Sequence, residues 1–404
     1  MTMIINNEHK KLNVPNLRFP EFQGEWKKTT IGDIADLYKG TGISKDQLSD
    51  DGEPCILYGE LYTKYKSETI REVISKTNID NTKLVRSKAN DVIIPCSGET
   101  AEDIATARCV LNGNILLGGD LNIIRLHGYD GAFMSYQLNG RRKYDIAKVA
   151  QGVSVVHLYG EHLKGVKTIN PCLEEQKKIA KLLSLLDERI ATQNKIIEDL
   201  KKLKSAIIDY AISSIDADFI KFSSLYEIAG EGGTPTTSNA SFYDNGKIPF
   251  IKIDDLKKKY LTENKDFITE LGLQKSSAWL VPSRSILFSN GATIGEITIT
   301  TYPVCTKQGI LGIVPKSNID VEFLYYFMSS SYFKKAISRI VTEGTMKTAY
   351  LKDINNIRCP IPTKGKQQEI AQMPSALSSK IDFEQSILKL FYAQKQYLLR
   401  QMFI

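Results

Sequence analysis

The sequence has few of the residues that build metal sites and disulfide frameworks. Its 404 residues include six cysteines and four histidines, and no two cysteines form a C-x-x-C pair. This spacing argues against a zinc site and a disulfide framework, and favours buried thiols in a reducing compartment. Residues 157–162 form H-x-x-x-E-H, one residue longer than a related metalloprotease signature, and we predict no metal there.

Long apolar runs and enzyme signatures are also missing. No stretch approaches the roughly 20 apolar residues of a membrane helix, and residues 1–14 are too polar for a signal peptide. We therefore predict a cytoplasmic protein with no membrane partner. The sequence has no G-x-x-x-x-G-K-[ST] phosphate loop and no Asn/Asp-Pro-Pro-aromatic tetrapeptide of adenine methyltransferases. We predict no catalytic residues and no cofactor on this chain.

The bulk composition is that of an ordinary globular protein of two or three domains. Hydrophobic residues make up 42% and charged residues 25% of the chain. The formal charge is +7 and the isoelectric point is about 8.8. This charge permits a polyanionic partner without requiring one.

The most informative feature present is an internal duplication with an offset close to 191 residues. Gln176 and Ile179 align with Gln367 and Ile370 at an offset of 191, and Gly152 aligns with Gly344 at 192. An offset that changes by only one or two residues over most of the chain indicates a fused duplication with small loop insertions. The unit is too long for a solenoid repeat, so we predict two similar globular halves.

Each half shows the same order of patterns. A Gly-rich segment (39–42 and 232–235) precedes short β-branched runs (91–95 and 285–288, then 121–126 and 310–314), which are typical of strands. Helical patterns follow. We predict an α/β (α+β) fold with two similar mixed α/β domains and a largely antiparallel sheet in each. The predicted boundaries are 1–170 and 216–361 for these domains, and 171–215 and 362–404 for two long helices.

Both long helices carry an apolar stripe with 3- and 4-residue steps, the pattern of a coiled coil. The predicted seam in the first helix includes Ile179, Leu186, Ile190, Ile197, Leu200, Leu203 and Ile207. The matching seam in the second includes Ile370, Leu377, Ile381, Leu388, Phe391 and Leu398. Since neither stripe can face water, we expect the helices to pair antiparallel around a pseudo-two-fold axis.

Two irregularities interrupt these stripes. Asn194 and Gln385 occupy the same gap in the two copies, where a polar residue inside a seam can fix the register. Pro374 replaces Leu183 of the first copy, and we expect the second helix to restart or kink there.

Several segments together resemble the DNA-sequence specificity subunit of type I restriction–modification systems. These are the opening segment 17–34, the segment 289–296 with its Gly-Ala-Thr-Ile-Gly turn, and the helix start Pro171, Gln176, Ile179 with Leu186 and Asp187. In the second copy, Pro360, Pro362, Gln367 and Ile370 match the same helix-start pattern. The resemblance covers essentially the whole chain, although Ser378 stands where Asp187 stands in the first copy.

The resemblance implies a non-catalytic subunit with two target recognition domains, each reading half of a bipartite site in double-stranded DNA. It implies that the paired helices set the spacing and dock two methyltransferase subunits, which bind S-adenosylmethionine and methylate adenine. Restriction and translocase subunits would join the same complex.

Three pairs of loops are the candidate DNA contacts: 39–45 with 234–239, 97–100 with 290–293, and 151–159 with 343–350. Their glycines let the backbone approach a polyanion, and their hydroxyl and cationic groups suit phosphates and base edges. The same residue types also occur in ordinary turns. The candidate residues are Lys39, Thr41, Ser44, Lys45, Ser97, Thr100, Ser154, His157, Tyr159, Thr234, Thr236, Ser238, Asn290, Thr293, Thr345, Lys347, Thr348 and Tyr350.

Two other functional classes remain open from the sequence. One is a duplicated α/β enzyme with an unrecognised active site. The other is a coiled-coil scaffold that binds only proteins, which salt-dependent DNA binding would exclude.

Overall fold

The computed structural model describes residues 13–80, 82–152, 155–291, 293–341 and 347–404. The chain divides into two compact units: residues 1–194 with 386–404, and residues 195–385. The two long helices span Leu173–Ser213 and Lys364–Gln401. Each unit therefore combines one mixed α/β lobe with a segment of each long helix.

The first lobe is built around a five-stranded sheet with a smaller sheet beside it. In spatial order the larger sheet contains Ala35–Lys39, Leu121–Leu126, Asp91–Pro95, Arg108–Val110 and Thr69–Ile70. The smaller contains Leu116–Leu117, Glu53–Ile56, Ser75–Thr77 and Leu48–Ser49. Two strand pairs flank them: Lys27–Thr30 with Lys167–Asn170, and Ser97–Gly98 with Val156–His157. The short helices are Ile31–Ile34, Lys45–Gln47, Glu60–Thr63, Ala101–Ile104, Gly131–Asn139, Lys143–Val149 and Gly160–Lys164.

The second lobe repeats this plan with different loops. Its five-stranded sheet contains Tyr226–Glu231, Ile310–Pro315, Ile286–Ser289, Ile297–Thr300 and Tyr260–Leu261. A smaller sheet contains Asp266–Ile268, Ile248–Ile251 and Cys305–Thr306, and Phe219–Lys221 pairs with Arg358–Pro360. The short helices are Phe222–Ser224, Ala240–Phe242, Ile253–Lys257, Glu270–Gln274, Val321–Ser329, Ser331–Ile340 and Leu351–Ile354.

The two five-stranded sheets have the same topology. In both, the first strand along the chain lies next to the fifth, the third lies between the fifth and the fourth, and the second pairs in parallel with the fourth at the far edge. The predicted fold class, two similar mixed α/β domains with largely antiparallel sheets and two long helices, is confirmed.

One glutamine anchors each long helix to its lobe. In the first unit, Gln176 accepts a hydrogen bond from Asp130 N at 2.9 Å and donates to Pro171 O at 2.9 Å. In the second, Gln367 accepts from Asp320 N at 2.8 Å and donates to Pro362 O at 2.9 Å. Both glutamines are buried. The repeated proline–glutamine spacing thus fixes the angle at which each helix leaves its lobe.

The first unit has a core assembled from three distant parts of the chain. Trp26 of the opening segment packs with Phe133, with Ile179 and Leu183 of the first long helix, with Leu399 of the second, and with Met402 and Phe403 just after it. Arg18 forms a two-pronged ion pair with buried Glu175, with both N–O distances at 2.7 Å. The opening segment therefore helps to hold the helix start.

The long helices run antiparallel in both units. In the first unit, Lys395 Nζ lies 2.6 Å from Asp187 Oδ1. In the second, Lys204 Nζ lies 3.4 Å from Ser378 Oγ. Since Lys204 and Lys395 are related by the duplication, as are Asp187 and Ser378, equivalent positions meet in both units.

The seam residues differ in burial. Ile179, Leu186, Ile190, Ile197 and Ile381 are buried, whereas Leu203 is 49% exposed. The remaining seam residues are half-buried: Leu200, Ile207, Ile370, Leu377, Leu388, Phe391 and Leu398. Leu183, Ile208 and Ile212 lie outside the predicted stripe and are fully buried in the lobe cores. The helices therefore have two apolar faces, one toward the other helix and one toward a lobe.

Asn194 and Gln385 are exposed, so the interpretation of these residues as register-fixing seam positions is wrong. The polar residues that are buried lie one position earlier in each copy, at Gln193 and Glu384. Because each helix has two apolar faces, the apolar pattern alone does not determine which of two adjacent residues points toward the other helix. This explains the error.

The expected restart at Pro374 is also wrong, because one helix continues through the proline. Pro374 is buried where Leu183 lies in the first copy. The missing N–H removes one hydrogen bond from a helix of 38 residues. Ala371 before the proline is buried in the core of the second lobe, and Ser375 after it accepts hydrogen bonds from Lys259 and Tyr326, so contacts on both sides hold the helix in place.

Candidate nucleic-acid interface

The three predicted loops of the first lobe meet at one end of its sheets. Ser97–Gly98 pairs with Val156–His157 as a two-stranded ribbon. The loop 39–45 reaches the same place, because Thr41 N donates to Leu117 O at 3.1 Å. Cys96 N also donates to Asp120 O at 2.7 Å, which ties the second loop to the turn beside the first.

The second lobe brings its loops together in the same way. Asn290 N donates to Gly309 O at 3.0 Å, and Ala349 N donates to Asn290 O at 2.9 Å. Gln308 N donates to Thr234 Oγ1 at 3.2 Å, which attaches the first loop. A left-handed turn residue stands at the junction in both lobes: Asp120 with φ 58° and Gly309 with φ 89°. Asp and Gly are among the residues that tolerate this conformation.

Most of the predicted contact residues project into solvent at this end. The exposed ones are Lys39, Ser44, Lys45, Thr100, His157, Tyr159, Thr236, Ser238, Thr293, Lys347 and Tyr350. Thr41, Ser97, Thr234 and Thr348 are half-buried, and Asn290 is buried. Ser154 and Thr345 lie outside the described residues. The role of all these residues in DNA contact stays a prediction.

Some of these polar side chains are already used by the fold. Thr41 Oγ1 accepts from Val85 N at 2.9 Å, and Asn290 Nδ2 donates to Ala349 O at 3.3 Å. Thr100 caps the helix Ala101–Ile104 by accepting from Asp103 N at 3.1 Å. Lys45, Lys347 and the neighbouring aromatic rings of His157 and Tyr159, whose centroids are 6.3 Å apart, remain accessible at the surface.

Two clefts open beside the loops of the first lobe. A cleft of about 970 Å³ is lined by Ile43 and Lys45 of the first loop, and one of about 640 Å³ by Ser97 and Glu99 of the second. Tyr58 lines both clefts. No motif marks residues 57–64, so the sequence gives no signal for their place beside the loops.

The cysteines and histidines do not form a reactive centre in the described part of the chain. Burial raises the pKa of Cys96 to about 11 and, as the only cause, that of Cys359 to about 12. No group of three metal-ligating side chains occurs among the described residues. None of the helices within the described ranges is both long and apolar enough to cross a membrane.

Two long stretches of the chain, residues 23–202 and 215–390, match the type I restriction modification DNA specificity domain. The chain belongs to this family. The chain carries this domain twice, which explains the duplication, because each match covers one lobe and most of one long helix. Members of the family are specificity components and not catalytic ones.

Curated relatives and solved structures agree with this assignment. The chain is 25% identical over 393 residues to the type I restriction enzyme MjaVIII specificity subunit of Methanocaldococcus jannaschii, covering 91% of this chain and 89% of the relative. It is 24% identical over 215 residues to the Escherichia coli EcoR124I/EcoR124II specificity subunit, covering 50% and 53%. The fold resembles the S subunit from M. genitalium, with a TM-score of 0.62, 19% identity and coverage of 97% and 99%.

Proposed function

We propose that this specificity subunit reads a bipartite site in double-stranded DNA, one half-site per lobe. The observation that carries the proposal is the arrangement of three loops at the same end of the same sheet in both lobes. The frameworks agree, whereas the exposed side chains differ: His157 and Tyr159 in the first lobe, Lys347 and Tyr350 in the second. Two half-sites of different sequence would need this combination of a shared scaffold and different contacts.

The long helices provide the second part of the proposal. We infer that they set the gap between the half-sites and dock two methyltransferase subunits, with restriction and translocase subunits joining the complex. Apolar side chains are exposed on the helix segments of each unit, for example Leu185 and Tyr392 in the first and Ile196 and Phe383 in the second. Exposed apolar residues along a helix are typical of a protein-binding surface.

Replacement of the third loop's exposed residues is expected to alter one half-site only. The His157→Ala/Tyr159→Ala variant should lose about five- to 100-fold in affinity for the preferred first half-site, because a base-edge contact contributes about 1–3 kcal/mol. The Lys347→Ala/Tyr350→Ala variant is its matched control in the second lobe. Selection from randomised duplexes, followed by sequencing, measures both half-sites for each variant.

Salt dependence provides the control for this experiment. Affinity of the wild-type chain should fall steeply with salt, since phosphate contacts release counterions. Changes in both half-sites from one loop variant would contradict one half-site per lobe. Binding without sequence preference or salt dependence would instead favour a scaffold that recognises proteins.

The chain alone is expected to bind no S-adenosylmethionine, because we assign that cofactor to the methyltransferase partners. Isothermal titration calorimetry of the full chain with S-adenosylmethionine should give only heats of dilution. A saturable heat at micromolar concentration would overturn the assignment.

A further inference from the structure

Residues 57–64 form a ridge between the two clefts of the first lobe. Tyr58, Gly59 and Thr63 line both clefts, with the first recognition loop on one side and the second and third on the other. Tyr58 is 39% exposed and Thr63 is exposed. This ridge is therefore the part of the lobe that projects between all three loops.

The ridge is held firmly by hydrogen bonds at both ends. Leu57 N donates to Glu60 Oε2 at 3.0 Å, and Lys64 Nζ donates to Glu60 Oε1 at 2.7 Å, while Glu60 is only 6% exposed. Tyr62 OH donates to Ser97 O at 3.1 Å, which joins the ridge to the second loop. Burial, with a smaller contribution from Asp103, raises the pKa of Tyr62, so this hydroxyl remains a donor.

The two sides of the ridge differ in chemistry. The larger cleft is lined by the cations of Lys45 and Lys64 and by the carboxylates of Asp120 and of Glu60, which pairs with Lys64, whereas the charged residues that line the smaller cleft are Glu99 and Asp103. A cation suits a phosphate, and a carboxylate suits the amino groups on base edges. A DNA strand would therefore lie with its backbone toward Lys45 and its bases toward the ridge and the smaller cleft.

We propose that this ridge enters the major groove of the first half-site and that Tyr58 and Thr63 contact base edges there. The inference rests on the proposed function and deepens it. The major groove is about 12 Å wide and admits a short helix with its side chains. Thr63 is exposed and its Oγ1 donates to Gly59 O at 3.0 Å, which leaves its methyl group as the part of the side chain suited to a thymine methyl.

The second lobe carries the same element with different side chains. Lys252 N donates to Asp255 Oδ2 at 2.9 Å, as Leu57 N does to Glu60, and the short helix Ile253–Lys257 follows. When Lys252 is aligned with Leu57, exposed Lys257 takes the position of Tyr62 and Asp254 that of Gly59. Lys257 Nζ lies 2.9 Å from Asp254 Oδ1. An element that has the same place in both lobes but different side chains suits the recognition of two different half-sites.

The test compares base preferences of full-chain variants selected from randomised duplexes. The Tyr58→Ala/Thr63→Ser variant is expected to relax preference by five- to 100-fold at one to three adjacent positions of the first half-site, with the second half-site unchanged. The control is Tyr144→Ala, a 65% exposed tyrosine of the same lobe that lines neither cleft, which should change nothing. Tyr58→Phe, which keeps the ring, should retain most of the preference if the ring packs on bases.

The results separate the ridge from the proposed function. Unchanged preferences in the ridge variant, together with altered ones in the His157→Ala/Tyr159→Ala variant, would overturn the ridge and leave the function standing. Absence of any preference in the wild-type chain would overturn both. A melting temperature within 2 °C (about 0.5–1 kcal/mol) of wild type shows that the variant is folded, and Tyr58→Phe supplies a second reading if it is not.

Discussion

Replacement of Lys395 by Ala is expected to destabilise the first unit by about 3–5 kcal/mol, because it leaves two buried carboxylates without their cation. Lys395 Nζ lies 2.5 Å from Glu68 Oε2 and 2.6 Å from Asp187 Oδ1. All three residues are less than 10% exposed. Removal of one partner from a buried ion cluster costs far more than the cluster contributes as a whole.

The surroundings of Lys395 support a large effect. Tyr136 OH donates to Asp187 Oδ2 at 2.7 Å, and Ser67 Oγ donates to the same oxygen at 3.0 Å. Burial lowers the pKa of Lys395, but Glu68 and Asp187 outweigh it and raise the pKa overall. This stabilisation is complete below the ordinary lysine pKa of about 10.4 and is lost only as pH rises through the raised value. Thermal unfolding of the Lys395→Ala variant at pH 6–9 should therefore show the full loss of stability.

The duplication supplies a matched control at Lys204. This lysine is the counterpart of Lys395, but it meets Ser378 instead of an aspartate, and burial lowers its pKa. Lys204→Ala should therefore cost at most about 1 kcal/mol, in line with a hydrogen bond to a neutral group. Urea unfolding followed by circular dichroism measures both variants. Equal losses would contradict the difference in charge that we describe.

Shortening both long helices by four residues is expected to reduce the gap between half-sites by about two base pairs. Deletion of residues 194–197 with their counterparts 385–388 removes about 6 Å from each helix at 1.5 Å per residue, and base pairs are about 3.4 Å apart. Four residues are close to one helical turn, so the buried faces stay in phase. Sequencing of selected duplexes gives the gap directly.

A two-residue deletion at the same places is the control for the helix experiment. Two residues rotate the following segment by about 200°, which turns the apolar faces away from their partners. We expect that variant to unfold or aggregate. A gap that is unchanged in a folded four-residue deletion would rule out the helices as the spacing element.

The sequence alone predicted the features that depend on the repeat. Because Gln176 and Gln367, or Asp130 and Asp320, occur at the same offset, the lobes, their loops and both helices could be aligned without a structure. Paired glycines and hydroxyl residues then located the three loops that meet at one end of each sheet.

The remaining details depended on contacts that a linear pattern does not contain. The sequence could not show that Leu183 packs in the core with Trp26 and Phe133, whereas Leu186 lies outside that core beside Phe391 of the other helix, since both leucines are apolar and three residues apart. It could not show that Asn290 is buried, because that depends on its hydrogen bonds with Ala349 across the loop cluster. The ridge was missed because Tyr58 and its counterpart Ile253 share a position but no chemistry.

The core that joins Trp26 and Phe133 to Met402 and Phe403 has a consequence for biosynthesis. The ribosome adds Met402 and Phe403 only after it has synthesised the whole second lobe. Until then the nascent first unit exposes an apolar surface that its final helix segment will cover. We expect such a chain to need protection from aggregation for longer than its domain size implies. A premature stop beyond the second lobe would damage the first.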